Sequence, residues 1–245
     1  MLLRLLEDNK PLDAVMFFDT GMEFDAIYRN RDKMFPMLKI FGVEYVELHP
    51  EKPFLYSMYD RPIKKRNGSI QYGYSWCGGV CRWGTSEKRY AIKRYKAALK
   101  DQVIDYVGIA ADEPERFEKM QYDGKILPLV EWGMTEADCL KYCRDRHWNW
   151  NEETVSGRID LYDVLDRVSC WCCRNKNLKE LHAIHDKLPE YWDRLRAMQS
   201  RLDEPMKGPG KSIFDLERRF KLENEWIKAG KKIRTKEFYQ ALKEG

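Results

Sequence analysis

Residues 13–21 read DAVMFFDTG. Within them DAVMFF (13–18) is a short apolar run, which predicts a buried strand of a parallel sheet. The turn Asp19-Thr20-Gly21 follows at the strand's C-terminal end. Outward from this point the pattern alternates. Residues 24–41 read as a helix with Pro36 as a kink or break. VEYVEL (43–48) is the next strand. Residues 50–75 are loop-rich, and Asn67-Gly68 marks a turn of hairpin type. TSEKRYAIKRYKAALK (85–100) is a helix that Thr85 or Ser86 can cap, with Glu87 in its first turn. VIDYVGIA (103–110) is a third strand. The alternation predicts an α/β fold with a doubly wound, mostly parallel sheet. Ligands of such sheets bind outside the carboxyl ends of the strands. That places DTG and the loop GIAADEPER (108–116) on one functional edge.

The remainder is mostly helical. ILPLV (126–130) reads as a short extended run. Thr135 caps a helix over 136–147, with Asp138 as its capping-box partner. Residues 149–160 read as polar loop. Residues 178–201 form two helical pieces, the second opened by Pro189. DEPMKGPGK (203–211) is a linker. Ser212 caps an amphipathic helix to about residue 228, and a last short helix covers 235–243. Residues 1–9 look like the end of a helix.

The chain has 245 residues, 43% hydrophobic and 13% aromatic, enough for a real core, which argues against disorder. A net charge of +4 does not by itself argue for nucleic acid. No stretch approaches a membrane span, and MLLRLLEDNKP is not a signal peptide. A cytoplasmic location is expected. In that reducing compartment the seven cysteines are metal ligands, reactive thiols or core residues rather than disulfides.

Cys77 and Cys81 form C-x3-C in a glycine-rich loop. RVSCWCCRN (167–175) holds Cys170 and Cys173 as C-x2-C. Four thiolates suit zinc or a [4Fe–4S] cluster; the alternative is four unrelated reduced cysteines. Cys172 is left over, to replace Cys173 or to act as a free nucleophile. Cys139 and Cys143, one helical turn apart, read as core. His182 and His185 read as surface residues, and His49 as a solvated strand end. RPIKKRNG (61–68) and KRYAIKRYKAALK (88–100) set Lys and Arg beside tyrosines, which suits tRNA or DNA, or else a solvated helix face. Residues 217–234 form an amphipathic helix that packs on the core or on a partner.

FFDTGMEF, WCGGVC followed by Lys88, VGIAADEPER, LPLVEWGMTEADCLKYC and RVSCWCC occur in that order. Together they resemble the phosphoadenosine phosphosulfate reductase-like family of the adenine nucleotide α-hydrolase superfamily, from residue 1 to about 190. The resemblance implies a nucleotide-binding α/β domain over 1–203, followed by a helical extension over 204–245. It places Asp19, Thr20 and Gly21 beside an adenosine. Gly108 matches a close-approach glycine, and Arg116 faces the anionic groups of ATP or a sulfonucleotide. Pro128, Leu129 and Trp132 match a structural signature. The resemblance also brings Cys77 and Cys81 to Cys170 and Cys173, and favours the cluster over zinc. Two departures narrow the reading. The family's opening strand and Ser-Gly-Gly-x-Asp-Ser phosphate loop have no counterpart, so either a longer reading frame precedes Met1 or ATP is no longer bound. No cysteine follows Cys173, where sulfonucleotide reductases carry their nucleophile. What remains is nucleotide-dependent sulfur transfer or reductase-type chemistry; the alternative is a non-catalytic, metal-containing nucleic-acid-binding or scaffold protein.

Overall fold

In the computed structural model, which describes residues 1–77, 79–100, 102–118, 124–155 and 157–244, the chain begins with α1 (Leu2–Glu7), β1 (Ala14–Phe18), α2 (Asp25–Ile40) and β2 (Glu44–Leu48). A short helix, α3 (Phe54–Tyr59), precedes a hairpin of β3 (Pro62–Lys64) and β4 (Ile70–Tyr72). A π-helical stretch, Arg82–Glu87, leads into α4 (Lys88–Ala98). Then come β5 (Asp105–Tyr106), α5 (Pro114–Phe117), β6 (Lys125–Ile126), α6 (Pro128–Glu131) and α7 (Glu136–Arg144). A second hairpin, β7 (Asn151–Thr154) with β8 (Gly157–Asp160), is followed by α8 (Leu161–Val164), α9 (Leu178–Lys187), α10 (Pro189–Gln199), α11 (Ile213–Lys228) and α12 (Lys236–Glu244). The class is mixed α/β: β1–β2 and β5–β6 are parallel pairs, and the two hairpins are antiparallel. Among the described residues no helix is long and apolar enough to cross a membrane.

Several helix starts follow from local chemistry. Thr135 with Asp138, Asn177 with Glu180 and Ser212 with Asp215 each close a full capping box, satisfying backbone N–H groups that a helix leaves orphaned. Four expectations need correction. Thr85 and Ser86 do not cap a helix; their N–H groups already bond the Cys81 carbonyl at 3.1 and 3.0 Å, so helical winding starts earlier. Residues 50–75 are loop-rich and turn at Asn67-Gly68 as a hairpin, as expected, but they also hold α3. Residues 126–130 are not extended throughout, because Pro128 sits at the first position of α6, where its fixed φ favours a helical start. That same turn ends β6 after two residues, so its partner β5 is far shorter than 103–110. Residues 149–160 are not loop but the β7–β8 hairpin, closed near Gly157 at φ 114°.

The chain divides into two interleaved units. The first comprises residues 1–19, 25–49 and 87–150. Its parallel pair runs in register from Ala14 opposite Glu44 to Phe18 opposite Leu48. Leu6, Leu38 and Val43 form a buried cluster, with Val15, Met34, Met37 and Tyr45 packed around it. Burying each such side chain is worth roughly 1.5–3 kcal/mol. The polar face of α1 is anchored too. Arg4 lies over Trp132 at 4.3 Å, and Glu7 accepts from Arg146 Nε at 2.6 Å and from the Tyr142 hydroxyl. Arg146 thereby holds the Glu7 carboxyl below its usual range, while burial and Glu7 push the Tyr142 phenol up to about 12.

The second unit comprises residues 20–24, 50–86 and 151–245. Phe24, Met58, Leu161, Leu181, Ile184, Leu195, Ile213 and Phe220 are fully buried in it. The amphipathic α11 packs on α9 and α10. His182 and His185 are therefore not surface residues. His182 stacks on Phe220 with ring centroids 4.4 Å apart, and His185 meets the Trp192 edge at 5.1 Å. The 203–211 linker is tied down by Gln199, itself 3% exposed. Its Nε2 donates to the carbonyls of Leu202 and Glu204 at 2.9 and 3.0 Å. Its Oε1 accepts from the N–H groups of Met206 and Ile213 at 3.1 and 3.3 Å.

Two substitutions test this packing. Gly73 has φ 67°, and a Cβ there would lie 2.1 Å from the Met58 carbonyl oxygen. Gly73→Ala is expected to lower unfolding free energy by more than about 2 kcal/mol in urea titration; a variant as stable as the parent would mean the hairpin does not lie against α3. Gln199→Met leaves two buried N–H groups without an acceptor, at about 1–3 kcal/mol each, and the same titration should resolve that loss.

Candidate metal centre

Two cysteine-bearing loops of the second unit meet. The first follows β4. Its sharp course at Gly79, φ 61°, brings Cys77 and Cys81 round to the π-helical stretch. There the Gly84 N–H reaches Cys81 Sγ at 3.4 Å. Single π-helical turns are concentrated at functional sites because they re-aim side chains. The second loop turns over Cys170–Cys173, with the Cys173 N–H bonded to the Cys170 carbonyl at 3.1 Å. Trp171 is buried, and its N–H bonds the Met22 carbonyl at 3.1 Å.

The loops are stitched by side chains that directly follow the second cysteine group. Asn175 Oδ1 accepts from the Gly79 N–H at 3.0 Å, and its Nδ2 donates to the Gly79 carbonyl at 2.9 Å. Arg174 Nη1 donates to the Trp76 carbonyl at 2.8 Å. Between the loops lies a cavity of about 30 Å³, larger than the space one water needs. Cys77, Cys81, Cys170, Cys172 and Cys173 all line it, with Phe54, Met58, Trp76 and Trp83 as apolar wall.

The donor set fits a thiophilic metal or cluster. A tetrathiolate site with a zinc ion would carry a net charge of about −2. Cations stand near to offset that charge. Lys176 is 2% exposed, with its Nζ 3.1 Å from Ser169 Oγ. Lys207 Nζ bonds the carbonyls of Arg174 and Lys176 at 2.6 and 2.8 Å. The buried Trp76 Nε1 has no hydrogen-bond partner among the described residues, and Trp76 lines the cavity, where an anionic sulfur group would accept one. Burial pushes the thiols of Cys77, Cys170 and Cys172 up. For Cys172, 4% exposed, that is the opposite of what a thiolate nucleophile needs.

The Thr20–Phe24 segment packs against Cys170. Cys170 Sγ donates to Glu23 Oε1 at 3.3 Å, and Thr20 Oγ1 donates to the same oxygen at 2.9 Å. Sequence reasoning missed Glu23, Asn175 and Lys176. The signal was present in the polar run Arg174-Asn175-Lys176, which directly follows the thiols. Gly21 adopts φ 74°, which favours glycine in the turn.

The other expected nucleotide-facing residues lie in the first unit. The Asp19 carboxylate accepts from the Tyr28 hydroxyl at 2.8 Å. A Cβ on Gly108 would meet the Met1 side chain at 3.6 Å, an ordinary contact. Arg116 Nη1 is turned onto Glu113 of its own loop, 2.6 Å from both carboxylate oxygens. Cys139 and Cys143 are half-buried on α7, and burial pushes both thiols up. At the carboxyl ends of β1 and β2, ligand atoms of Asp19, Glu47 and His49 lie within 4.8 Å of one another, the one such trio among the described residues. His49 is exposed at the strand end, as expected, and its Nε2 also lies 3.2 Å from Glu47 Oε1. Arg31 at 3.3 Å and the Tyr45 hydroxyl at 2.6 Å already hold the other Glu47 oxygen.

No family model matches the chain. No solved structure matches it. It is similar to an uncharacterized protein of Methanocaldococcus jannaschii, 23% identical over 204 residues, covering 79% of this chain and 37% of that protein. The chain thus spans little more than a third of the length of this relative.

Proposed function

We propose that this chain performs adenine-nucleotide-dependent sulfur-transfer or reductase-type chemistry beside a four-cysteine metal centre, in the manner of the phosphoadenosine phosphosulfate reductase-like family. In this reading the two parallel pairs belong to one doubly wound sheet of the adenine nucleotide α-hydrolase type. The observation that carries the proposal is the convergence of both cysteine loops on one cavity, held by Asn175 and Arg174. Cys77, Cys81, Cys170 and Cys173 would hold the group. A [4Fe–4S] cluster, when bound, supplies electron transfer or anchors sulfur; zinc supplies a rigid scaffold.

The family resemblance favours the cluster, which seats each sulfur on a separate iron. Zinc would instead draw all four thiolate sulfurs onto one ion, at about 2.3 Å each. Loading requires each thiol to lose a proton. Glu23 Oε1 stands 3.3 Å from Cys170 Sγ and is positioned to take that one. In the first unit, Asp19, Gly108 and Arg116 would face the nucleotide.

A second reading has one observation in its favour. Arg116 is bonded to Glu113, so the expected phosphate-facing cation is already occupied. On that reading the chain keeps the metal and binds nucleic acid or a protein scaffold without nucleotide chemistry. Calorimetry with ATP separates the two: micromolar binding supports the enzyme, and none supports the scaffold.

Anaerobic purification with iron, sulfide and zinc analysis tests the centre. The parent should hold about four irons and four sulfides per chain, the content of a [4Fe–4S] cluster. Single Cys77→Ser, Cys81→Ser, Cys170→Ser or Cys173→Ser variants should lose most of it, while Cys139→Ser and Cys143→Ser should not. Lys176→Met should leave folding intact but lower metal retention about 10- to 100-fold under chelator challenge, as supporting residues around metal sites do. A parent without iron or zinc sinks the proposal.

A further inference from the structure

The β3–β4 hairpin lies in a stretch of unusual charge. Residues 61–86 contain Arg61, Lys64, Lys65, Arg66 and Arg82 and no Asp or Glu, although the chain carries 40 acidic residues in 245. At that density about four acids would fall in these 26 positions. Lys64, Lys65 and Arg66 are exposed and make no ion pair among the described residues. Arg61 and Arg82 are laid over the Tyr74 ring, at 5.7 and 4.3 Å, rather than against carboxylates.

The register defines an open face. Pro62 pairs with Tyr72 and Lys64 with Ile70, so these four side chains share one side of the hairpin. All four are exposed, Tyr72 at 69% and Ile70 at 61%. Their neighbours Ile63 and Gln71, on the other side, are half-buried. An exposed tyrosine and isoleucine flanked by unpaired cations suit a chain of phosphates whose bases can stack, which requires unpaired bases. An acidic peptide would use the charge but not the ring.

We infer that the open face of the β3–β4 hairpin binds single-stranded nucleic acid, with Lys64, Lys65 and Arg66 on the phosphates and a base stacked on Tyr72. The same strand leads within five residues from Tyr72 to Cys77, so a bound strand would lie beside the loop that opens the thiol cavity. This goes beyond the metal-centre reading and does not depend on it.

The test is fluorescence anisotropy of the full chain with a labelled single strand of about 12 nucleotides, within the range single-strand binders cover. It is run as RNA and as DNA, with a duplex of equal length as control. Single strands should bind more tightly than duplex. Joint Lys64→Gln, Lys65→Gln and Arg66→Gln replacement should weaken binding and reduce the slope of log affinity on log salt by about 2, from about 0.7 per phosphate contact. Tyr72→Ala should weaken binding about fivefold or more with the slope unchanged. These positions are exposed, so circular dichroism should match the parent. Metal analysis of each variant keeps a failure here distinct from a failure of the metal centre. Parent-like binding by both variants would overturn the inference, as would no binding to either strand. Equal competition by polyglutamate would overturn it too and assign the face to an acidic protein.

Discussion

The Asn175 carboxamide bonds both the N–H and the carbonyl of Gly79, across 96 residues of sequence. A pair of bonds to the N–H and carbonyl of one residue fixes orientation as well as distance. Asn175 lies two residues beyond Cys173, and Gly79 lies midway between Cys77 and Cys81. The amide therefore sets how the thiols of one loop face those of the other. Arg174 repeats the arrangement one residue earlier, on the Trp76 carbonyl. Backbone, rather than side chain, is the target in both cases. The pairing is consequently insensitive to what the glycine-rich loop carries, but demands that the loop come close.

Much of the surrounding design manages charge. Arg174, Lys176 and Lys207 gather behind the second cysteine loop, and two backbone carbonyls hold the Lys207 ammonium. A lysine as buried as Lys176 is costly without an anion nearby. Glu180 meets part of that need, and deprotonated thiols would meet the rest. The opposite arrangement holds at Cys170. There burial, and after it the Glu23 carboxylate, raises the cost of ionising the sulfur, so a proton must leave the Cys170–Glu23 pair before the sulfur can bind a cation.

What could be read from the residues alone followed from locality. The capping box at Thr135 and the cap at Ser212 are complete within four residues; both formed as read, and Asp215 closes a full box at Ser212 as well. The apolar runs of β1 and β2 carry their own burial, and they pair in parallel. The β7–β8 hairpin was not legible because its inward residue is Glu152, 2% exposed and bonded to the Tyr191 hydroxyl at 3.0 Å. A buried carboxylate breaks the apolar alternation by which a strand is recognised. Residues 126–130 misled for the opposite reason: they are apolar enough for a strand, but Pro128 supplies no N–H to a ladder. The approach of the two cysteine groups was expected from family resemblance and not from spacing. An asparagine bonding a distant backbone leaves no periodic trace.

Gln199 uses all its bonding capacity, two donors and two acceptors, on residues 202, 204, 206 and 213. The chain from α10 to α11 is thus a closed ring with spokes to one hub, and its circumference is set by the reach of one amide. Lengthening it by a residue would move a spoke off the hub and strand a buried polar group. This segment, though rich in glycine and proline, is therefore a poor place for evolution to insert or delete residues. The turn at Asn67 and Gly68 has no such hub and is free to vary in length.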